Sequence, residues 1–172
     1  EPLAARMRPQ TLDEFIGQAH LVGPGKPLRE AIVKQHLFSF ILWGPPGVGK
    51  TTLARIYAHA LGAVFYELSG VSAGKADIRK IIELPSDYPK VPFLDEIHRF
   101  NKAQQDYLLP FVESGELTLV GATTENPSFE VIGALLSRCR VFTLQALDEA
   151  AMQQILKRTK LQLDQAAQEW LI

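Results

Sequence analysis

The run GPPGVGKT, from Gly44 to Thr51, sets glycines, a lysine and a hydroxyl at the spacing G-x-x-x-x-G-K-S/T. These residue types in this order suit the binding of a nucleoside triphosphate. A glycine-rich loop turns successive backbone N–H groups toward phosphate oxygens, and a helix starting directly after it adds the partial positive charge of its N-terminus. Lys50 then reaches the β- and γ-phosphates, and Thr51 offers its hydroxyl to Mg²⁺. Gly44, Pro45, Pro46, Gly47, Val48, Gly49, Lys50, Thr51 and Thr52 are the expected contacts to ATP. The apolar FSFILW before the loop and the helical TTLARIYAHAL after it supply the strand–loop–helix context that the pattern requires.

A second group lies in FLDEIHRF, Phe93 to Phe100. A short apolar strand ending in two acids places them at the carboxyl edge of a sheet, where open α/β folds bind their ligands. Asp95 is expected to hold Mg²⁺ and Glu96 to orient and polarise an attacking water, which is a hydrolase arrangement. A third strand, in LTLVGATTEN, ends in hydroxyls and an amide, so Thr123, Thr124 and Asn126 are each in position to bond the γ-phosphate or the water. Arg138, in LLSRCR, follows Thr124 by 14 residues. The intervening FEVIGALL reads as a helix that carries it away from its own phosphate loop. On residue types alone, a salt bridge at a domain edge and a charge aimed at a phosphate both remain open for it. No His/Cys spacing suggests zinc.

Positioning these groups takes a sheet. Apolar runs of strand length at Phe38–Trp43, Ala63–Leu68, Phe93–Leu94 with its flanks, and Leu117–Ala122 alternate with segments of helical period, which predicts a parallel α/β sheet. From Asp148 onward no strand-like run appears. Asp148 can cap a helix with Met152, Ile155 and Leu156 on one face. A nucleotide-binding α/β domain over 1–145 and the start of a helical domain over 146–172 are expected.

Composition limits the function classes. A net charge of −1, from 18 basic and 19 acidic residues, leaves no bulk electrostatic footprint for nucleic acid, so any DNA contact must be local. One cysteine cannot form an internal disulfide, which fits a reducing compartment. With no long apolar run and no signal-peptide pattern, a cytoplasmic location and no membrane partner are expected. The start at Glu1 and the end at Ile172 inside a helical pattern suggest a piece of a longer chain.

The phosphate loop, LDE, the polar strand end and SRC, in this order, resemble the AAA+ ATPases of the clamp-loader group. Within it, PLAARMRPQTLDEFIGQ, ILWGPPGVGKTTLA, DEIHRFNKAQQDYLLPFVESG and GATTENPSFEVIGALLSRCRV resemble the replication-associated recombination protein A family and its eukaryotic relative, the Werner-helicase-interacting ATPase. The resemblance implies a P-loop fold with a five-stranded parallel sheet, helices on both faces and an all-α lid. It implies a DNA-stimulated ATPase acting at stalled forks, gaps or ends in replication-fork maintenance, recombination and repair. The implied assembly is a homo-oligomer, a tetramer, near the nucleoid, with single-strand DNA-binding protein and the replisome as partners. Arg8, Pro9, Ile16 and Gly17 would line the adenine and ribose, Thr124 would sense the γ-phosphate, and Arg138 would be an arginine finger supplied in trans. Arg99 and Lys102 would face either DNA or solvent. The family's sensor arginine and oligomerisation domain would follow Ile172.

One stretch departs from the family pattern. PSDYPKVPFLDE puts Pro92 in the expected central strand, where it removes a ladder hydrogen bond. The expectation is that residues are missing between Leu84 and Phe93, and again between Thr159 and Asp164. Other readings of the phosphate loop are a clamp-loader subunit or branch-migration motor of the same group, a small-molecule kinase, and a scaffold that binds ATP without turning it over.

Overall fold

The structure, a computed structural model, describes residues 8–170. Residues 2–7 of the family-like N-terminal stretch therefore lie outside the described residues, as does Ile172. In chain order the elements are α1 (Ala19–Val22), α2 (Pro27–Val33), β1 (Phe40–Trp43), α3 (Lys50–Ala60), β2 (Val64–Ser69), α4 (Lys75–Glu83) and β3 (Lys90–Asp95). A 3₁₀ turn (Ile97–Arg99), α5 (Lys102–Ser114), β4 (Val120–Thr123), α6 (Pro127–Glu130), α7 (Gly133–Leu136), β5 (Arg140–Thr143) and α8 (Glu149–Trp170) follow.

The strands form one five-stranded sheet in the order β2-β3-β4-β1-β5, with every pairing parallel. Parallel neighbours need crossover helices, and these cover both faces of the sheet. β1 shows the result. Phe40 and Leu42 enter one core with Leu28, Leu53 and Tyr57, while Ile41 enters the other with Ile78, Leu94, Ile97 and Leu108. Burial on both faces is why these strands read as unbroken apolar runs. Around Phe40 the first core is aromatic: Tyr57 lies edge-on at 4.9 Å and Phe142 at 5.5 Å between centroids. The Tyr57 hydroxyl donates to the His36 carbonyl (2.9 Å) and accepts from the Phe38 N–H (3.0 Å), fixing the chain as it enters β1. Burial pushes this phenol up to about 12.

Two expectations are corrected here. Pro92 does sit inside β3, between β2 and β4 in the sheet. Its missing donor falls on the β4 side, where the ladder is already interrupted: Thr118 N–H donates to the Lys90 carbonyl (3.0 Å), and strand pairing with β4 resumes only at Phe93 and Leu94. The partner strand β2 is paired without a gap from Val64↔Lys90 to Ser69↔Asp95. Residues 159–164 lie within the helix Glu149–Trp170.

The second correction concerns FEVIGALL, which is two short helices rather than one. Val131 is extended (φ −105°, ψ 133°), because the Gln105 side chain takes over the local backbone groups. Its amide donates to the carbonyls of Glu130 (3.0 Å) and Phe100 (2.9 Å), and its oxygen accepts from Ile132 N–H (2.8 Å). A buried amide with both ends satisfied competes directly with the helix ladder.

Asp148 accepts from Ala151 N–H at 2.7 Å, as expected of a cap. The helix it starts has no buried residue, and Met152 and Leu156 are exposed. Among the described residues no helix is long and apolar enough to cross a membrane. Tyr57→Phe removes one hydroxyl that bridges two backbone groups, so it should cost about 1–2 kcal/mol. The check is a urea titration in which the midpoint falls while the slope stays constant.

Candidate active site

The loop between β1 and α3 is held in shape by its glycines. Gly47 (φ 78°) and Gly49 (φ 97°) adopt left-handed backbone that side chains disfavour. Gly49 is also the N-cap of α3, so the loop runs straight into the helix N-terminus. Lys50 folds back over the loop and donates to the carbonyls of Gly44 (2.5 Å) and Pro45 (2.8 Å). Burial lowers the pKa of its ammonium from the ordinary lysine value, and the nearby negative charge of Asp95 opposes that shift.

β3 delivers the acids. Glu96 takes left-handed backbone (φ 53°, ψ 52°), which costs a non-glycine residue roughly 1–2 kcal/mol. The turn is held by Glu96 N–H donating to Asp95 Oδ1 (3.0 Å) and by Arg99 N–H donating to the Glu96 carbonyl (2.8 Å). The Glu96 carboxylate pairs with the Arg99 guanidinium at 3.2 Å, so Arg99 faces this acid, a partner that neither expectation for Arg99 included. Lys102 is exposed in the first turn of α5.

β4 delivers the hydroxyls, and its register beside β3 brings them next to the acids. Thr123 is buried and already engaged: its oxygen lies 3.1 Å from His98 Nδ1, donates to the Glu125 carbonyl (3.1 Å) and accepts from Glu125 N–H (2.9 Å). Asn126 is also engaged, since its side chain accepts from Ser128 N–H at 3.0 Å. Thr124 is exposed at the strand end, the arrangement expected of a residue that meets a ligand.

A cleft of about 420 Å³ collects these groups: Pro46, Gly47, Gly49, Lys50, Thr51, Thr52, Asp95, Glu96, Thr123 and Thr124 all line it. A smaller apolar cavity of about 130 Å³ adjoins it through Gly47, Gly49 and Thr52. Its remaining walls are Pro9, Phe15, Ile16, Val48, Leu147, Ile155 and Arg158. Pro9 and Ile16 are among them. Arg8 and Gly17 are not among its walls: Arg8 is exposed, with its carbonyl accepting from Gln10, and Gly17 lies against Leu147, whose Cδ2 a Cβ there would meet at 2.9 Å. Sequence reasoning missed Leu147, Ile155 and Arg158, which reach the cavity from a segment more than 90 residues along the chain from the phosphate loop. Gln18 fixes that segment, since its amide donates to the Gln145 carbonyl (2.8 Å) and its oxygen accepts from Gln145 N–H (2.9 Å). Arg158 adds a bond to the Glu14 carbonyl.

Arg138 is not brought into the cleft. It precedes β5, whose first residue Arg140 pairs with Phe40 at the amino end of β1, whereas the phosphate loop leaves the carboxyl end after Trp43. Strands of this length separate the two edges by roughly 10 Å or more. The guanidinium pairs with Glu113 at 3.0 Å.

Comparisons with known proteins agree with this geometry. The model of the ATPase family associated with various cellular activities (AAA) matches residues 40–147. The chain is 50% identical over 162 residues to the replication-associated recombination protein A of Haemophilus influenzae, covering 91% of this chain and 36% of that protein. It is 47% identical over 163 residues to the ATPase WRNIP1 of Dictyostelium discoideum, covering 92% of this chain and 19% of that one. The chain thus spans about a third or less of the length of these relatives. The RuvB Holliday junction branch migration motor of Thermotoga maritima superposes with a TM-score of 0.74 at 34% identity, over 92% of this chain and 55% of that one.

Two substitutions separate binding from chemistry. Lys50→Ala should abolish tight ATP binding, and Glu96→Gln should bind ATP normally while hydrolysis falls roughly 10²-fold or more. Equilibrium nucleotide binding measured beside phosphate release distinguishes them; equal loss of binding in both would make Glu96 structural.

Proposed function

The chain belongs to the ATPase family associated with various cellular activities (AAA), and from that premise we propose that it hydrolyses ATP to ADP and phosphate in a DNA-dependent manner. The observation that carries this reading is the single cleft in which Lys50, Thr51, Asp95, Glu96 and Thr124 converge. The base and ribose would occupy the adjoining apolar cavity, with the triphosphate running over Gly47 and Gly49 to Lys50. A triphosphate facing Lys50 replaces two loop carbonyls with full negative charges, which stabilises the ammonium that burial disfavours. The Thr51 hydroxyl and the Asp95 carboxylate are hard oxygen donors of the kind Mg²⁺ accepts alongside phosphates and water. When bound, the ion would neutralise charge on the β- and γ-phosphates.

Glu96 would accept a proton from the attacking water once its carboxylate turns from Arg99 toward the cleft. Thr124 would bond the γ-phosphate. Arg138 would serve a neighbouring subunit's γ-phosphate, because its place at the amino edge of the sheet supports delivery in trans. Catalysis would then require an oligomer, a homotetramer by likeness to the replication-associated recombination proteins, with residues 146–172 as the start of the helical lid. The same likeness supports action on DNA ends, gaps and forks in replication-fork maintenance, recombination and repair. It also supports a cytoplasmic, nucleoid-associated location with single-strand DNA-binding protein and the replisome as partners.

The test uses the full-length protein with and without gapped or ended DNA. Phosphate release should rise with DNA. Transfer of the γ-phosphate to a metabolite would instead indicate a kinase. Arg138→Ala should bind ATP yet hydrolyse it at least 10³-fold more slowly, and mixing with Lys50→Ala protein should restore part of the rate. In mixed assemblies an intact ATP site receives the finger of a Lys50→Ala neighbour. Wild-type turnover by Arg138→Ala protein sinks the trans assignment.

A further inference from the structure

Resting on the reading of Arg138 as a finger, the geometry points to Glu113 as the residue that positions it. Glu113 lies in the last turn of α5, a turn without a basic residue, and the helix is capped by Gly115 in left-handed backbone. A carboxylate at a helix C-terminus meets the negative end of the helix dipole, so helix formation alone disfavours an acid there. What compensates it is Arg138, whose Nη2 lies 3.0 Å from Glu113 Oε1. The other terminal nitrogen, Nη1, donates to Ser137 Oγ (2.9 Å) and to the Ala134 carbonyl (3.3 Å).

A guanidinium has five N–H donors in a rigid fork. Here Glu113, Ser137 and Ala134 take donors from its two terminal nitrogens, yet the side chain remains 45% exposed. It is therefore gripped and still presented to solvent, at the sheet edge opposite its own phosphate loop. A free arginine would spread over many rotamers, and each would have to be searched before its charge met a developing transition state. Glu113 removes that search. Exposed ion pairs add little to fold stability, so the pair's effect should appear in turnover rather than in melting temperature.

The test is steady-state ATP hydrolysis by the full-length protein in the presence of DNA. Glu113→Ala should lower kcat roughly tenfold and leave KM for ATP and the melting temperature unchanged. Glu113→Gln keeps a carbonyl oxygen in the same place and should retain at least half of the wild-type kcat. In an Arg138→Ala background, Glu113→Ala should add no further loss. Wild-type kcat in Glu113→Ala, a Glu113→Gln variant as slow as Glu113→Ala, or an added loss in the double variant would each overturn the role of Glu113. Wild-type turnover by Arg138→Ala alone would overturn the finger reading itself, whatever Glu113 variants do.

Discussion

Three strands pass one another at Gly44 with no room for a side chain. Its N–H donates to the Thr123 carbonyl at 3.1 Å, while Leu144 N–H donates to the Trp43 carbonyl at 2.7 Å. A Cβ on Gly44 would meet the Leu144 carbonyl oxygen at 2.8 Å, backbone that cannot move aside without opening the sheet. The phosphate loop therefore departs from one fixed point between β4 and β5. Because Thr124 directly follows Thr123 and β3 is in register with β4, the same contact also sets where the hydroxyl and the two acids stand relative to Lys50. Spacing along the loop fixes what can bind a phosphate. Close packing at its root fixes where a bound phosphate would lie.

Most of this was legible in the sequence because it is local or periodic. The loop, the acids after an apolar run and the polar end of β4 each depend on residues a few positions apart, and the alternation of runs and helices points to a parallel sheet. What could not be read depends on long-range packing. Leu147, Ile155 and Arg158 line the apolar cavity from a segment that Gln18 holds at Gln145, a contact spanning 127 residues. Arg8 and Gly17 resembled the family's base contacts in sequence yet fall outside the cavity, since membership in a motif does not say which way a residue faces. Pro92 looked incompatible with a central strand because a sequence shows a missing donor but not the gap in the neighbouring ladder that makes it harmless.

Gln105 lies between the segment that carries Glu96 and the segment that carries Arg138. Its amide bonds the Phe100 carbonyl, at the end of the turn that starts with Glu96, and the Glu130 carbonyl, while its oxygen holds Ile132 N–H at the entry to the helix before Arg138. With 2% of its surface exposed and every polar group satisfied, this side chain fixes two otherwise independent loops to one helix. It also explains why FEVIGALL, helical by period, is broken in the middle.

The cysteine next to Arg138 is partly buried against the second core, and burial pushes its thiol up to about 12. At neutral pH it therefore carries less of the nucleophilic thiolate than a free cysteine does. Attack on a disulfide, alkylation and peroxide oxidation all proceed through that anion and slow as it becomes scarcer, although a thiolate of higher pKa is the stronger nucleophile. Packing thus lowers the reactivity of Cys139. A rise in that reactivity would report an opening of the core behind Arg138.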